Sequence, residues 1–350
     1  MSSSAGLSGG NSKLKSVRSP ETHFPGIGAL SVSMALLLLV GCGKSDDASP
    51  KLGEVNPPPA EPKQTVVAVV SPALTSIFHV EFVRGAKEEG EKLGYKVESL
   101  AADRETNFSA QVDIVESLVR RKVDAITICA INDKAIVGAV EKANEAGIPV
   151  FIHCSLVDLP GGEVQAYVGF NQQQAGKLCA EYAVSLLEEK HGAQKGKVYI
   201  LEGIPGFHSK ERVTGFLSVL DGYPEIEVVG QTPANWERQQ GMNVASSAMT
   251  AHPDLDLFFA CSDAMAQGAA QAVQESEKEV FTLGIDGNPD TLKDIEAGVV
   301  TASCANFPDE MGRIAMRTIN AHLSGATHEL KVETPLKMID RSNVGEMLNR

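Results

Sequence analysis

Residues 65–100, TVVAVVSPALTSIFHVEFVRGAKEEGEKLGYKVESL, contain one full unit of the architecture. Thr65–Val70 is an almost unbroken β-branched run without polar alternation, the pattern of a strand buried on both faces. Ile77, Val80, Val83, Ala86, Gly90 and Leu93 then recur at helical spacing, with Lys87, Glu88, Glu91 and Lys92 on the other faces. Gly94 stands where a helix C-cap belongs, and Lys96–Leu100 reads as the next strand. Strand, amphipathic helix and strand in that order is the βαβ unit.

Outward from this unit the same pattern continues. Ala125–Ile128, Pro149–His153 and Ala166–Gly169 read as further strands, and Ala135–Ala146 as a helix ending at Gly147. Such a series closes as a parallel sheet with helices on both faces. The pattern then restarts. Lys197–Leu201, Glu227–Gln231, Leu257–Ala260, Val280–Gly284 and Val300–Cys304 read as strands, separated by helices over Ser209–Leu220, Gln239–Ala251, Ala264–Glu275 and Pro289–Ala297. The fold class is therefore α/β, with two doubly wound lobes of similar size. Ligands of such sheets bind beyond the carboxyl ends of the strands, and two lobes can present those ends to each other across a cleft.

Toward the N-terminus the chain changes character. Lys13, Lys15 and Arg18 precede an apolar run from Leu30 to Gly41, closed by Leu39-Val40-Gly41-Cys42. A basic leader, a short apolar core and a small residue before the cut make an export signal. The run falls short of the ~20 apolar residues of a membrane-spanning helix. The last four residues resemble the lipobox of bacterial lipoproteins, in which Cys42 would be acylated after cleavage. Residues 1–41 are thus expected to be a signal peptide. Residues 42–64 carry five prolines and almost no apolar side chains, so they are expected to be a disordered tether. This places the body on the outer side of a bacterial membrane, periplasmic or at the cell surface.

The whole chain has formal charge −14, and the segment 1–41 holds three basic residues and one acidic, leaving −16 on the remainder. That balance argues against nucleic acid as a partner, because such binding neutralises phosphates with Lys and Arg. The six cysteines, at 42, 129, 154, 179, 261 and 304, stand singly, with no CxxC pair and no metal-finger spacing. Acylation of Cys42 would leave five, at least one of them unpaired. No Walker loop or GxGxxG motif occurs, so no nucleotide cofactor is implied.

The expected strand ends carry a consistent chemistry. The first lobe offers Ser71, Ser76-Ile77-Phe78-His79 and His153-Cys154-Ser155; the second offers Arg212, Asn235-Trp236, Ser262-Asp263, Asp286-Gly287 and Asn306. An arginine fork and a carboxylate can each engage two neighbouring hydroxyls. An aromatic face covers the C–H side of a sugar ring. Together they suit a neutral, hydroxyl-rich small molecule. His208, Asp103 and Asn171 are weaker candidates in neighbouring loops.

From about Thr65 to Asp309 the chain resembles the ribose-binding protein family of periplasmic sugar receptors. The resemblance rests on Gly85-Ala86 through Lys92-Leu93-Gly94-Tyr95, Ala146-Gly147-Ile148-Pro149-Val150 and Glu211-Arg212-Val213-Thr214-Gly215-Phe216. Thr250-Ala251-His252-Pro253-Asp254, Gly284-Ile285-Asp286-Gly287 and Phe307-Pro308-Asp309 extend it. It implies a periplasmic binding protein of type I, with two Rossmann-like lobes joined by a three-strand hinge that close around a monosaccharide. It also implies lobes made of residues 65–169 plus 307–334 and 170–306 plus 335–350. Position by position, Phe78 and Trp236 match aromatics that pack on the sugar, Arg212 a hydroxyl-binding arginine, and Asp286 a carboxylate acceptor. Asn306 matches an amide ligand near the hinge, and Ser262 stands in the place of another. Ser76 replaces a binding asparagine, His79 replaces a second aromatic, and Cys154-Ser155 stand where the family has an Asp-Arg pair. The implied function is capture of a monosaccharide or polyol by a lipid-anchored, monomeric receptor without cofactor, which delivers it to the permease of an ABC importer.

Other readings fit parts of the sequence. A receptor subunit signalling to a membrane sensor would read the same closed form. A thiol- or metal-dependent enzyme would use Cys129, His153 and Cys154, with His79 nearby. A sugar-responsive repressor core needs an N-terminal DNA-binding helix pair, where this chain has a signal and tether.

Overall fold

The all-buried strand expected at the start of the body is the second-innermost strand of a sheet. The computed structural model describes residues 64–348, which belong to one compact unit of the chain. Strand β1 (Val66–Ser71) is flanked in parallel by β2 (Lys96–Ala101) and β3 (Ala125–Ile128), followed by β4 (Val150–His153), β5 (Ala166–Gly169) and β11 (Lys331–Glu333). Side chains alternate across the pleat. Val67 and Val69 accordingly join one core cluster with Phe82 and Ala86, while Ala68 and Val70 join another with Val115 and Val140. Edge strand β2 has only part-buried and exposed residues and carries Lys96, Glu98 and Ser99.

The second sheet repeats this order. β7 (Ile226–Pro233), β6 (Gly196–Glu202), β8 (Leu257–Ala260), β9 (Phe281–Asp286) and β10 (Ala302–Ala305) run parallel, and β12 (Lys337–Asp340) closes the edge antiparallel to β10. The chain crosses between the sheets three times. It passes from β5 into helix α4 (Gln172–His191), from β10 into α9 (Pro308–Leu323), and from β11 into β12. Thr334 N donates to Gly169 O at 2.7 Å, tying the third crossing to the first.

The connecting helices are α1 (Ile77–Lys92), α2 (Phe108–Arg121), α3 (Asp133–Glu145), α5 (Phe207–Leu220), α6 (Arg238–Ala251), α7 (Asp263–Ser276) and α8 (Pro289–Ala297), with α10 (Val344–Leu348) at the end. Helices α2, α4 and α9 add to those expected from the sequence pattern. Three pairs (α1 with α9, α4 with α5, α6 with α7) pack backbone to backbone through reciprocal glycines. A Cβ on Gly176 would stand 2.0 Å from Arg212 O, and one on Gly215 would stand 2.0 Å from Gln173 O. Gly85 faces Asp309 O and Gly312 faces Phe82 O in the same way. Only glycine permits such an approach, and each pair fixes where its helix N-termini point.

Among the described residues no helix is long and apolar enough to cross a membrane. The expected signal (1–41), the acylation site Cys42 and nearly all of the tether lie outside the described residues.

Candidate functional site

The loops leaving the carboxyl ends of both sheets enclose a cavity of about 510 Å³, within the ~300–1,000 Å³ range of small-molecule sites. Ser76, Phe78, His79, Cys154, Arg212, Trp236, Ser262 and Asp286, all expected from the sequence, line it. Ser155 and Asn306 do not. The Ser155 hydroxyl accepts from Val157 N at 3.2 Å. Asn306 is fully buried next to Asp286, its backbone N donating to Asp286 O at 3.0 Å and its side-chain amide favouring the ionised form of that carboxyl.

The wall from the second lobe is charged and tightly organised. Arg212, on the second turn of α5, is 6% exposed. Its Nε donates to Gln172 Oε1 at 2.7 Å and its Nη1 donates to the Cys261 carbonyl. The guanidinium lies 5.3 Å from the ring centres of both Phe170 and Trp236, so two aromatic faces hold it. Trp236 sits at φ +66° and packs over Gly203, where a Cβ would collide with its ring at 2.0 Å. Asp286, at the end of β9, approaches Arg212 Nη1 at 3.6 Å. Burial pushes the Asp286 carboxyl up to about 8, against the opposing pull of Arg212. Behind it, the Asp263 carboxylate accepts from Gly287 N and Asn288 N, each at 2.8 Å, and from Ser303 Oγ at 2.5 Å. Burial raises Asp263 too, to about 6. This shell locks the β9 loop, and Asp263 N in turn donates to Asp286 Oδ2 at 3.3 Å.

The wall from the first lobe is different in kind. Ser76 is the N-cap of α1 but its hydroxyl makes no capping bond, which leaves it for another partner. Phe78 and His79 follow on the first turn, edge to face at 5.1 Å between ring centres. Burial and the neighbouring His208 lower the His79 imidazole to about 3; burial and Arg212 lower His208 to about 4. Both rings are therefore neutral at physiological pH. Cys129 follows β3 and Cys154 follows β4; both are free thiols, and burial raises Cys154 well above the ordinary thiol range. One ring nitrogen of His79 and the sulfurs of Cys129 and Cys154 lie within 4.8 Å of one another.

The expected trio of Cys129, His153 and Cys154 is not what assembles. The His153 ring stacks on Phe82 with centres 4.0 Å apart, and its Nδ1 bonds Thr127 Oγ1 at 2.9 Å. As the last residue of β4 it is fully buried in the sheet, and His79 takes the place beside the thiols.

At the site, Glu105, Gln172 and Phe207 carry no sequence signal strong enough to single them out, whereas His208, Asp103 and Asn171 are the weaker candidates. In the loop after β2, Glu105 lines the cavity, whereas Asp103 is exposed and bonded to Arg104 and Asn107. Burial and Glu237 push Glu105 up to about 7. Gln172, the first residue of α4, joins the lobes by donating to Cys154 O at 3.2 Å while accepting from Arg212. Phe207 and His208 bring the α5 N-terminus into the cavity. Asn171 caps α4, accepting from Gln174 N at 3.0 Å.

Two α/β lobes with matched strand order, three crossings and a polar, aromatic cavity at facing strand ends define a two-lobed small-molecule binding protein. The chain belongs to the periplasmic binding protein family, whose domain matches residues 67–327. It is 32% identical over 281 residues to the ribose import binding protein of Escherichia coli, covering 79% of this chain and 90% of that one. The ribose import binding protein of Bacillus subtilis is 30% identical over 277 residues, covering 79% and 87%. A solved solute-binding protein of an ABC transporter from Actinobacillus succinogenes, with bound D-allose, superposes with a TM-score of 0.74 at 27% identity, covering 81% of this chain and all of that one.

Proposed function

We propose that the protein is an extracytoplasmic receptor that captures a monosaccharide or polyol between its lobes and delivers it to the permease of an ABC importer. The observation that carries this reading is the Arg212–Asp286 pair, buried at the inner wall of a cavity that also presents Phe78 and Trp236. A carboxyl group and a guanidinium side by side offer acceptors and donors to vicinal hydroxyls, and the rings cover the apolar face. The names of the relatives, which bind ribose or hold D-allose, favour the same class. The sugar itself is left open by the loss of charged residues at Cys154 and Ser155.

The receptor works as a monomer whose lobes are residues 65–169 plus 307–334 and 170–306 plus 335–350. Closure about the three crossings lets one ligand touch both walls, so differential contacts with the closed form shift the population. Acylated Cys42 holds it at the outer face of a membrane. No chemical step is part of this function. The cavity presents hydrogen-bonding groups, and burial raises the Cys154 thiol well above its ordinary range.

The test is a thermal-shift and calorimetric screen of the chain carrying Cys42→Ser, freed of copurified ligand, against pentoses, hexoses and polyols. A ligand at 100 times its Kd adds about 2.7 kcal/mol of stability. One sugar or polyol should give a saturable shift that Asp286→Ala removes. Silence across the panel, or a shift that survives Asp286→Ala and Arg212→Ala alike, would overturn the reading.

A further inference from the structure

We propose that His79, Cys129 and Cys154 form a binding site for a thiophilic cation, Zn²⁺ in the first instance, on the first-lobe wall of the cavity. The three come from separate segments, the first turn of α1 and the ends of β3 and β4, so no short spacing motif announces them. All are buried, at 6%, 5% and 4% exposure, and their ligand atoms lie within 4.8 Å of one another. A tetrahedral set built on Zn–S bonds of about 2.3 Å and Zn–N bonds of about 2.0 Å has ligands some 3.5–3.8 Å apart. Binding would draw the three ligand atoms about 1 Å closer than the 4.8 Å limit within which they now lie.

A second observation points to a missing ligand. Nδ1 of His79 is buried and has no hydrogen-bond partner, a condition that is unfavourable unless something occupies it. The other nitrogen, Nε2, lies 3.6 Å from Glu105 Oε1. An imidazole flanked by a carboxylate is the arrangement that orients metal-bound histidines. Cys154 adopts φ +68°, a left-handed conformation that a non-glycine residue holds only where its surroundings impose it. Here Cys154 N donates to Val168 O at 2.8 Å and its carbonyl accepts from Gln172, keeping the residue beside Cys129 and His79.

Charge decides which ion fits. Two thiolates, a neutral imidazole and Zn²⁺ sum to zero, so the occupied site adds no net charge to a buried wall. Hard cations such as Mg²⁺ and Ca²⁺ need oxygen ligands, which this cluster lacks. Three protein ligands leave the fourth position open, and the cluster lines the cavity, so a water or a ligand hydroxyl can complete the shell. The inference goes beyond sugar capture, and each stands without the other.

Titration of the purified, reduced full-length chain with Co²⁺ as a spectroscopic stand-in tests the site. The expected result is a thiolate-to-cobalt charge-transfer band that saturates at one equivalent and is bleached by Zn²⁺. Cys129→Ser and Cys154→Ser should each weaken binding by at least about tenfold, and His79→Ala by about 10- to 100-fold. Cys179→Ser, at a buried thiol away from the cavity, should leave the band unchanged and control for folding. A missing band, a band that survives the Cys129→Ser/Cys154→Ser double variant, or Cys129 and Cys154 recovered as a disulfide would each overturn the proposal. Sugar binding measured on the same samples, metal-free, separates this failure from failure of the receptor reading.

Discussion

The two walls of the cavity solve the problem of a polar interior in opposite ways. The second-lobe wall partners its ionisable groups, though not the neighbouring Asn288 Oδ1: Arg212 is held by Gln172, the Cys261 carbonyl and two rings, and Asp286 by Arg212 and the Asp263 amide. The first-lobe wall leaves several groups without partners: the Ser76 hydroxyl makes no capping bond, the buried His79 Nδ1 has no hydrogen-bond partner, and Cys129 and Cys154 are free thiols. Preorganised donors and acceptors orient a ligand at little cost on binding. An unfinished wall instead gains from whatever completes it. On the proposed reading, the second lobe would supply affinity and orientation, and the first lobe discrimination.

The harshest trial of this division is to remove one member of each wall. Arg212→Ala and Asp286→Ala each delete a charge-assisted hydrogen bond, worth about 1.5–3 kcal/mol. Calorimetry should show binding weakened by about 10- to 150-fold, while Phe78→Ala on the other wall costs under about tenfold. Equal losses would erase the contrast. Gly176→Ala should come next. The added methyl meets the Arg212 carbonyl, and overpacking of this kind costs about 1–3 kcal/mol. The melting temperature and the affinity should fall together, because α5 carries the arginine.

The pH dependence should divide by chemistry. His79 and His208, lowered to about 3 and 4, are protonated more readily in the unfolded chain. Their stabilising effect is complete above the ordinary 6.5 and is lost as pH falls toward those values. Asp286, raised to about 8, acts in reverse, losing its contribution as pH climbs from about 4 through 8. Melting temperature followed from pH 4 to 9 should therefore pass through a maximum, with His208→Gln flattening the acid limb and Asp286→Asn the alkaline one. The smallest effect is expected for Lys122→Gly, at the exposed left-handed C-cap of α2 with φ +55°. Relief of the left-handed strain, about 1 kcal/mol, offsets the added chain entropy of glycine, about 0.5–1 kcal/mol. Denaturant unfolding should register a change under about 1 kcal/mol.

The difference between the walls also explains what was legible in the sequence. The parallel strands announce themselves because burial on both faces demands uninterrupted apolar runs, as in Val67–Val70. Strand β11, three residues reading KVE with two of them exposed, has no such signature. Helix α4 buries small residues such as Ala175, Gly176, Cys179, Ala180 and Ala183 among many polar ones, which blurs its apolar face. At the site, Arg212, Trp236 and Asp286 stand directly at strand ends or early in the following helix, where charge and aromaticity are conspicuous. Glu105 differs from exposed Asp103 only in which way the loop turns. Choosing His79 over His153 as the partner of the thiols depends on the strand pleat and on Phe82 stacking against His153. Neither is visible before the sheet is built.

The glycine contacts between α4 and α5 have an evolutionary consequence. Because main chain meets main chain at Gly176 and Gly215, the position of the α5 backbone that carries Arg212 is set by glycine contacts rather than by interdigitating side chains. Substitutions elsewhere around the cavity can accumulate without moving it. A lineage can thus change its cargo by rewriting the first-lobe wall, while the hydroxyl-reading arm keeps its address.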